Sequence, residues 1–245
     1  MSGKLLYQGK SLLDHKTEII VVGLSSSNNK KTGNMVQTYI LVKDTDPRLA
    51  NKTGLDVGIC GNCPHKGTPH NDPKFSTAKN RPCYVMLGWG PKIVWDSYNE
   101  GLYPAATAKE IIDLGDNKPV RLGTYGDPAA VPRYVWDLLL KKSSGHTGYS
   151  HQQKITDPYS DICMRSVESE KEAREAWSDD IRTFRVIENI NQIIKGKEIL
   201  CPASEEAGKK TTCSLCQLCS GSTIKKRNIA IVVHGPGKTH MSGRV

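Results

Sequence analysis

The sequence predicts an α/β fold, a partial (β/α) barrel or a curled, mostly parallel sheet, with an N-terminal β-hairpin and cysteine-rich loops. Two observations carry the prediction. From Thr107 onward, short β-branched runs alternate with amphipathic segments that open on helix-start signals, as in sheets built from strand–helix–strand units. Residues able to bind ligands or move protons also recur just after those runs, where parallel α/β folds keep their sites. The expected organisation is a hairpin cover over residues 1–54 and an α/β domain over 55–245, forming one compact unit.

Glu18–Leu24 and Gln37–Val42 read as the hairpin, joined by a polar loop, Ser25 to Asn34, with a basic tip. The cover itself shows no evident chemistry. Residues 58–83 are loop-rich and cannot bury a core of their own, so a bound metal is the expected source of order there. The segment ends in Cys83-Tyr-Val-Met-Leu, expected as a strand. Thr107-Ala-Lys-Glu110 is a capping box closed by Gly115. Val120–Tyr125 is a strand, and a helix entered through Pro132 should bury Val131, Tyr134, Val135, Leu138 and Leu139. Further strands are expected at 145–151, 162–167, 182–187, 198–201 and 228–233, with a second capping box at Ser169-Glu-Lys-Glu172 that turns Ala173, Ala176 and Trp177 inward.

After these strands come Tyr125 and Asp127, Tyr149 and His151, Glu168, Cys201 and His234. Asp127, His151 and Glu168 are candidates for acid–base work, although Asp127 also fits a helix cap. Tyr125, Tyr149 and His234 are candidates for holding a cofactor. For His234 the simpler reading is a hydrogen-bonded core histidine. Gly235-Pro-Gly-Lys-Thr239 resembles the end of a phosphate-binding loop, but Val232 stands where the first glycine is required. It reads as a basic C-terminal segment.

No apolar run reaches the roughly 18 residues of a membrane span, and the first residues lack a signal-peptide pattern. A cytoplasmic protein with no membrane partner is therefore expected. In a reducing compartment its eight cysteines read as metal ligands in preference to disulfides. The net charge of +9 points to an anionic partner, nucleic acid being the commonest. The basic runs, however, are scattered (Lys30–Lys31, Lys141–Lys142, Lys209–Lys210, Lys225–Arg227) and lack interleaved aromatics. A solvated basic surface accounts for them equally well.

Cysteine spacing is the strongest signal. Cys213, Cys216 and Cys219 form C-x2-C-x2-C, and Cys201, followed by proline, lies twelve positions earlier. This spacing lets neighbouring thiolates reach different irons of a [4Fe–4S] cluster; one tetrahedral zinc is the alternative. Cys60, Cys63 and Cys83 form a second set. Three cysteines hold a cubane with one iron open to a substrate or to S-adenosylmethionine. Joined by Cys163, His65 or His70, they would instead close a zinc site. Cys163 alone, in an apolar strand, reads as a buried free thiol.

Cys60-Gly-Asn-Cys63, Cys83-Tyr84, Arg121-Leu-Gly-Thr-Tyr-Gly-Asp127, Thr147-Gly-Tyr149 and Cys201-Pro ahead of the triplet occur in that order. This arrangement resembles the phage- and plasmid-encoded cysteine-rich proteins related to the radical S-adenosylmethionine barrel. The resemblance spans roughly residues 55 to 235. It implies a partial (β/α) barrel with one or two [4Fe–4S] clusters, S-adenosylmethionine as a ligand, and a substrate, small molecule or macromolecule, that it does not specify. The chain departs from the radical pattern in two ways. Asp56 stands where C-x3-C-x2-C requires its first cysteine, and no Gly-Gly-Glu follows the first barrel strand. The resemblance therefore leaves room for the fold with altered chemistry.

Overall fold

The structure is a computed structural model and describes residues 3–26, 29–152, 158–223 and 227–241. Three strands open the chain: β1 (Gly3–Lys10), β2 (Glu18–Leu24) and β3 (Val36–Val42), paired antiparallel in sequence order. β2 and β3 are buried along almost their whole length, which explains why β2 reads as a continuous apolar run after Glu18. β3 then pairs in parallel with β4 (Pro119–Tyr125), and β4 with β5 (Gly145–Thr147). The N-terminal segment is thus not a separate cover. It supplies three of the five strands of the first sheet, ordered β1-β2-β3-β4-β5.

The second sheet contains β6 (Tyr149–Ser150), β7 (Met164–Val167), β8 (Thr183–Ile187), β9 (Glu198–Leu200) and β10 (Asn228–Val232). Its order is β6-β7-β8-β10-β9 with every pairing parallel. Only Gly148 separates β5 from β6, so residues 145–150 belong to both sheets. A Cβ at Gly148 would stand 2.8 Å from Cys163 Sγ and 2.9 Å from the Ile162 carbonyl oxygen. No larger residue fits there without displacing backbone. The fold class is therefore mixed α/β with two mostly parallel sheets, including the expected hairpin.

The helices are α1 (Pro47–Thr53), α2 (Val57–Cys60), α3 (Gly90–Asn99), α4 (Ala108–Gly115), α5 (Arg133–Leu140), α6 (Glu170–Ser178) and α7 (Cys213–Cys216). Both expected capping boxes form: Thr107 with Glu110 opens α4, and Ser169 with Glu172 opens α6. Each such cap stabilises its helix by about 1 kcal/mol. α5 starts after Pro132 but buries Val135, Trp136 and Leu139, while Tyr134 is exposed. The Trp136 indole reaches the Pro128 carbonyl at 2.9 Å. Satisfying that N–H lets the whole ring enter the main core, which β2, β3 and β4 share with α5. Ala173 and Ala176 are fully buried as expected, and Trp177 bonds Thr183 Oγ1 at 2.9 Å.

Residues 83–86 form no strand. Their β-branched content is slight, and Tyr84 and Met86 are exposed. The backbone is held by single bonds, Cys83 N to the His65 carbonyl (3.1 Å) and Arg81 Nη1 to the Cys83 carbonyl (3.0 Å). No helix among the described residues is long and apolar enough to cross a membrane.

Candidate functional site

β3 to β5 run parallel in the first sheet and β6 to β10 in the second, and residues at or just past several of their carboxyl ends line one cavity. Its volume is about 520 Å³, within the range of small-molecule sites. Tyr125, Asp127, Tyr149, His151, Glu168 and His234 all line it, and so do Cys60, Cys63, Cys83, Cys201 and Cys213. Cys216 and Cys219 complete their set without lining the cavity. Cys163 stands apart, fully buried, its thiol pushed well up by burial. It joins neither set and behaves as the free core thiol expected.

The first cysteine set is carried by the loop that follows α2. Asn51 organises this loop. Its Nδ2 donates to Asp56 Oδ2 (2.7 Å) and to the Lys66 carbonyl (2.8 Å), and its Oδ1 accepts from Ala78 N (2.9 Å). Cys60 lies at the end of α2, and Cys63 N returns to its carbonyl at 3.0 Å. Burial drives the Cys60 thiol well above its ordinary range, and Asp56, Cys63 and Cys83 add to the shift. Cys83 is raised mainly by burial, with Arg81 opposing and Cys63 adding. Thiols held protonated in this way release their protons when a cation replaces them.

Asp127 joins the Cys60 helix to the end of β6. Its backbone N donates to the Ile59 carbonyl (2.6 Å), and Oδ1 caps the next turn through Ala129 N (2.9 Å). Oδ2 accepts from His151 N (2.9 Å) and Gln152 Nε2 (3.2 Å). With both oxygens engaged, Asp127 positions its neighbours and is not a free base. Glu168, by contrast, meets two imidazoles. His151 Nε2 lies 3.0 Å from Oε1 and His65 Nε2 lies 2.8 Å from Oε2. The His65 nitrogen is buried, and Glu168 is the charged group that it meets. Burial works against the Glu168 charge, but His151 and His65 outweigh it and hold the carboxyl at about 2. Burial likewise opposes a charged His151. Cys63, hydrogen-bonded to the ring, and Glu168 more than compensate and push it well above its usual value.

The second cysteine set begins at Cys201, directly after β9, whose N bonds the Ala230 carbonyl at 2.8 Å. α7 carries Cys213 and Cys216. Arg182 organises the segment beyond, donating to the carbonyls of Gly221 (2.6 Å), Leu218 (2.7 Å) and Arg227 (2.7 Å). The hairpin tip docks on α7: Cys213 N bonds the Lys31 carbonyl (3.0 Å) and Ser214 N the Thr32 carbonyl (2.9 Å). Gly33, at φ +70°, packs against Ser214 where a Cβ would collide. The hairpin therefore does reach the chemistry. Lys31 Nζ is 3.3 Å from His234 Nε2, and burial, then Lys31, lowers the His234 pKa. Burial lifts Cys201 and Cys213, and it pushes Cys219 up to about 12 against a hydrogen bond from Tyr149.

Tyr149 contacts Cys219 and His151 contacts Cys63. The two residues are separated by one position, so they project to the same side of one extended segment. That segment thus gives each cysteine set one hydrogen-bonding neighbour. Above it, Arg121 lies over the Tyr149 ring (5.5 Å) and bonds the Tyr84 hydroxyl (2.8 Å), while Tyr84 stacks on His234 (5.3 Å). The Tyr125 hydroxyl is buried with no partner among the described residues.

Sequence reasoning missed Lys31 and Arg121 and named His65 only as a partner for the cysteines. Its position two residues after Cys63 was the available signal. Lys141, Lys142, Lys209 and Lys210 are exposed, as a solvated surface requires, and Lys225 and Lys226 lie outside the described residues. Among the described residues, no cysteine group brings its sulfurs within 4.8 Å of one another, whereas the ligand atoms of His65, His151 and Glu168 do so. All eight cysteines are free thiols. No family model, curated protein or solved structure matches the chain.

Proposed function

We propose that this chain is an iron–sulfur protein of the kind its resemblance implies, with two clusters beside a cleft that takes a small molecule. The observation that carries the reading is the convergence of two cysteine sets, from distant parts of the chain, on one cavity at the carboxyl ends of the parallel strands. The donor set fits the group. A cluster spreads its sulfurs over separate irons, so its ligands stand farther apart than those of one ion. The C-x2-C-x2-C run with Cys201 ahead of it is what favours it over a single tetrahedral zinc.

Cys60, Cys63 and Cys83 would hold the cluster with an open iron, and Cys201, Cys213, Cys216 and Cys219 the closed one. When bound, such clusters supply single electrons, and the open iron supplies a coordination position. The chain's own residues perform the remaining tasks. Tyr149 and His151 orient and hydrogen-bond the sulfurs, which tunes reduction potential. Tyr84, Tyr149 and Arg121 offer flat, polarizable walls to an aromatic or cationic ligand, and the orphaned Tyr125 hydroxyl offers it a hydrogen bond. S-adenosylmethionine is the ligand to try first.

Anaerobic purification followed by visible spectroscopy and iron and sulfide analysis tests the reading. It predicts a brown protein with about eight irons per chain. Cys60→Ser and Cys213→Ser should each abolish a different half of the iron. A colourless, zinc-loaded protein would refute it. Reduction with dithionite in the presence of S-adenosylmethionine, with analysis for 5′-deoxyadenosine, tests the radical chemistry separately.

A further inference from the structure

We propose that His65, His151 and Glu168 form a third metal site, distinct from both cysteine sets, which takes one divalent first-row cation of the iron(II) class. Two imidazoles and one carboxylate are the donor set that non-haem iron(II) uses when it must keep coordination positions open. Here the three ligand atoms lie within 4.8 Å of one another. Bonds of about 2.0–2.1 Å at right angles place neighbouring ligand atoms about 3 Å apart. His65 Nε2 is 2.8 Å from Glu168 Oε2 and His151 Nε2 is 3.0 Å from Glu168 Oε1, so the carboxylate presents one oxygen to each ring.

The rings are tilted by 58° with centroids 5.5 Å apart. They present nitrogen edges to a common carboxylate and do not stack. His151 is hydrogen-bonded to Glu168, and His65 meets the other oxygen of the same carboxylate as an ion pair. His65 is only 9% exposed, and its Nε2 is buried and aimed at Glu168. A cation seated between the three groups would satisfy both buried imidazole nitrogens and the carboxylate together.

The surrounding contacts are those expected around a ligand set. His151 is held through its backbone N by Asp127 (2.9 Å) and through its ring by Cys63. The Glu168 backbone is fixed by Glu172 Oε2 (2.7 Å). His65 is anchored by its carbonyl, which accepts from Cys83 N (3.1 Å). Each ligand comes from a different segment: the loop after Cys63, the end of β6 and the end of β7. All three face the cleft, so the open positions point at whatever the cleft binds. The class of ligand that follows is one with a lone-pair oxygen or nitrogen able to join the cation.

The test uses Mn2+, which binds imidazole and carboxylate and has little affinity for thiolates. The protein as isolated is titrated with Mn2+, and the free ion is counted by electron paramagnetic resonance. One Mn2+ per chain is expected. Glu168→Gln keeps the side-chain size and should weaken binding by at least about 10-fold, as should His65→Ala. Asp113→Asn, at an exposed carboxylate on α4, should leave Mn2+ binding unchanged. Circular dichroism establishes that each variant is folded. The idea falls if folded wild-type protein binds no Mn2+ up to millimolar concentration, or if Glu168→Gln binds it as well as wild type. Iron and sulfide analysis of the same samples keeps this result separate from the cluster assignment, which does not depend on it.

Discussion

Replacing Glu198 with alanine should destabilise the second sheet more than most single changes in this chain. Glu198 opens β9, and its carboxylate forms a two-pronged pair with Arg185 of β8, Nε to Oε1 at 2.9 Å and Nη2 to Oε2 at 2.7 Å. The side chains are 3% and 0% exposed. The pair passes over β10, where Ala230, in register with Arg185, contributes only a methyl group. Arg185 Nη2 also reaches the Gln192 carbonyl (2.7 Å), and Glu198 Oε2 accepts from Ile194 N (2.9 Å). Removing the carboxylate therefore strands a buried guanidinium and a backbone N–H together. Loss of one partner of a buried pair costs about 3–5 kcal/mol. For a chain of this size each kcal/mol lowers Tm by about 2–4 °C, so a fall on the order of 10 °C is expected by circular dichroism, with both proteins in the same metal state. Because β9 leads directly into Cys201, the iron content that the proposed second cluster predicts should fall as well. The double variant Arg185→Met with Glu198→Leu should recover most of the stability, since a packed apolar pair carries no desolvation cost. A loss below about 1 kcal/mol for the single variant, or a double variant as unstable as the single, would refute the argument from buried charge.

Two further outcomes are expected. Gly148→Ala should cost about 1–3 kcal/mol by overpacking, because its Cβ meets both Cys163 Sγ and the Ile162 carbonyl. Adding Cys163→Ala should restore only part of the lost Tm, since the backbone contact remains. Glu110 accepts a hydrogen bond from Lys4, then from Thr107, and these hold its carboxyl at about 2 against an ordinary 4.5. A depressed carboxyl stabilises the fold above its ordinary pKa and loses that contribution as pH falls toward the folded value. Glu110→Gln should thus lower Tm near neutral pH, by an amount that shrinks below pH 4.5 and is gone near pH 2. A deficit that persists unchanged in acid would mean that charge is not involved.

The candidate site was legible where the fold imposes a rule. Parallel strands align their carboxyl ends, so His151, Glu168, Cys201 and His234 could be grouped from strand positions alone. What the sequence hid depends on contacts without a period. His65 sits in a loop ordered by Asn51, and no spacing marks an asparagine that clips three segments together. Lys31 reaches the second cysteine set because the hairpin tip pairs with α7, far away in the chain. β1 was missed because a bulge between Leu5 and Tyr7 shifts its register and breaks the two-residue alternation. α3 was missed because it buries only Pro91 and Val94 while exposing Ile93, which leaves little apolar face to detect. The expected strand after Cys83 failed for another reason: the run has little β-branched content, and Tyr84 and Met86 are exposed instead of packed.

The segment from Gly145 to Ser150 has a consequence for how this protein can be divided. Its first half completes one sheet against β4 and its second half begins the other against β7. A cut on either side would leave a bare parallel edge on one of the two pieces, an invitation to pair with foreign chains. The two halves are therefore not interchangeable modules. Grafting either onto another scaffold, or expressing it alone, would have to carry this stretch along, and the stretch can go with only one of them.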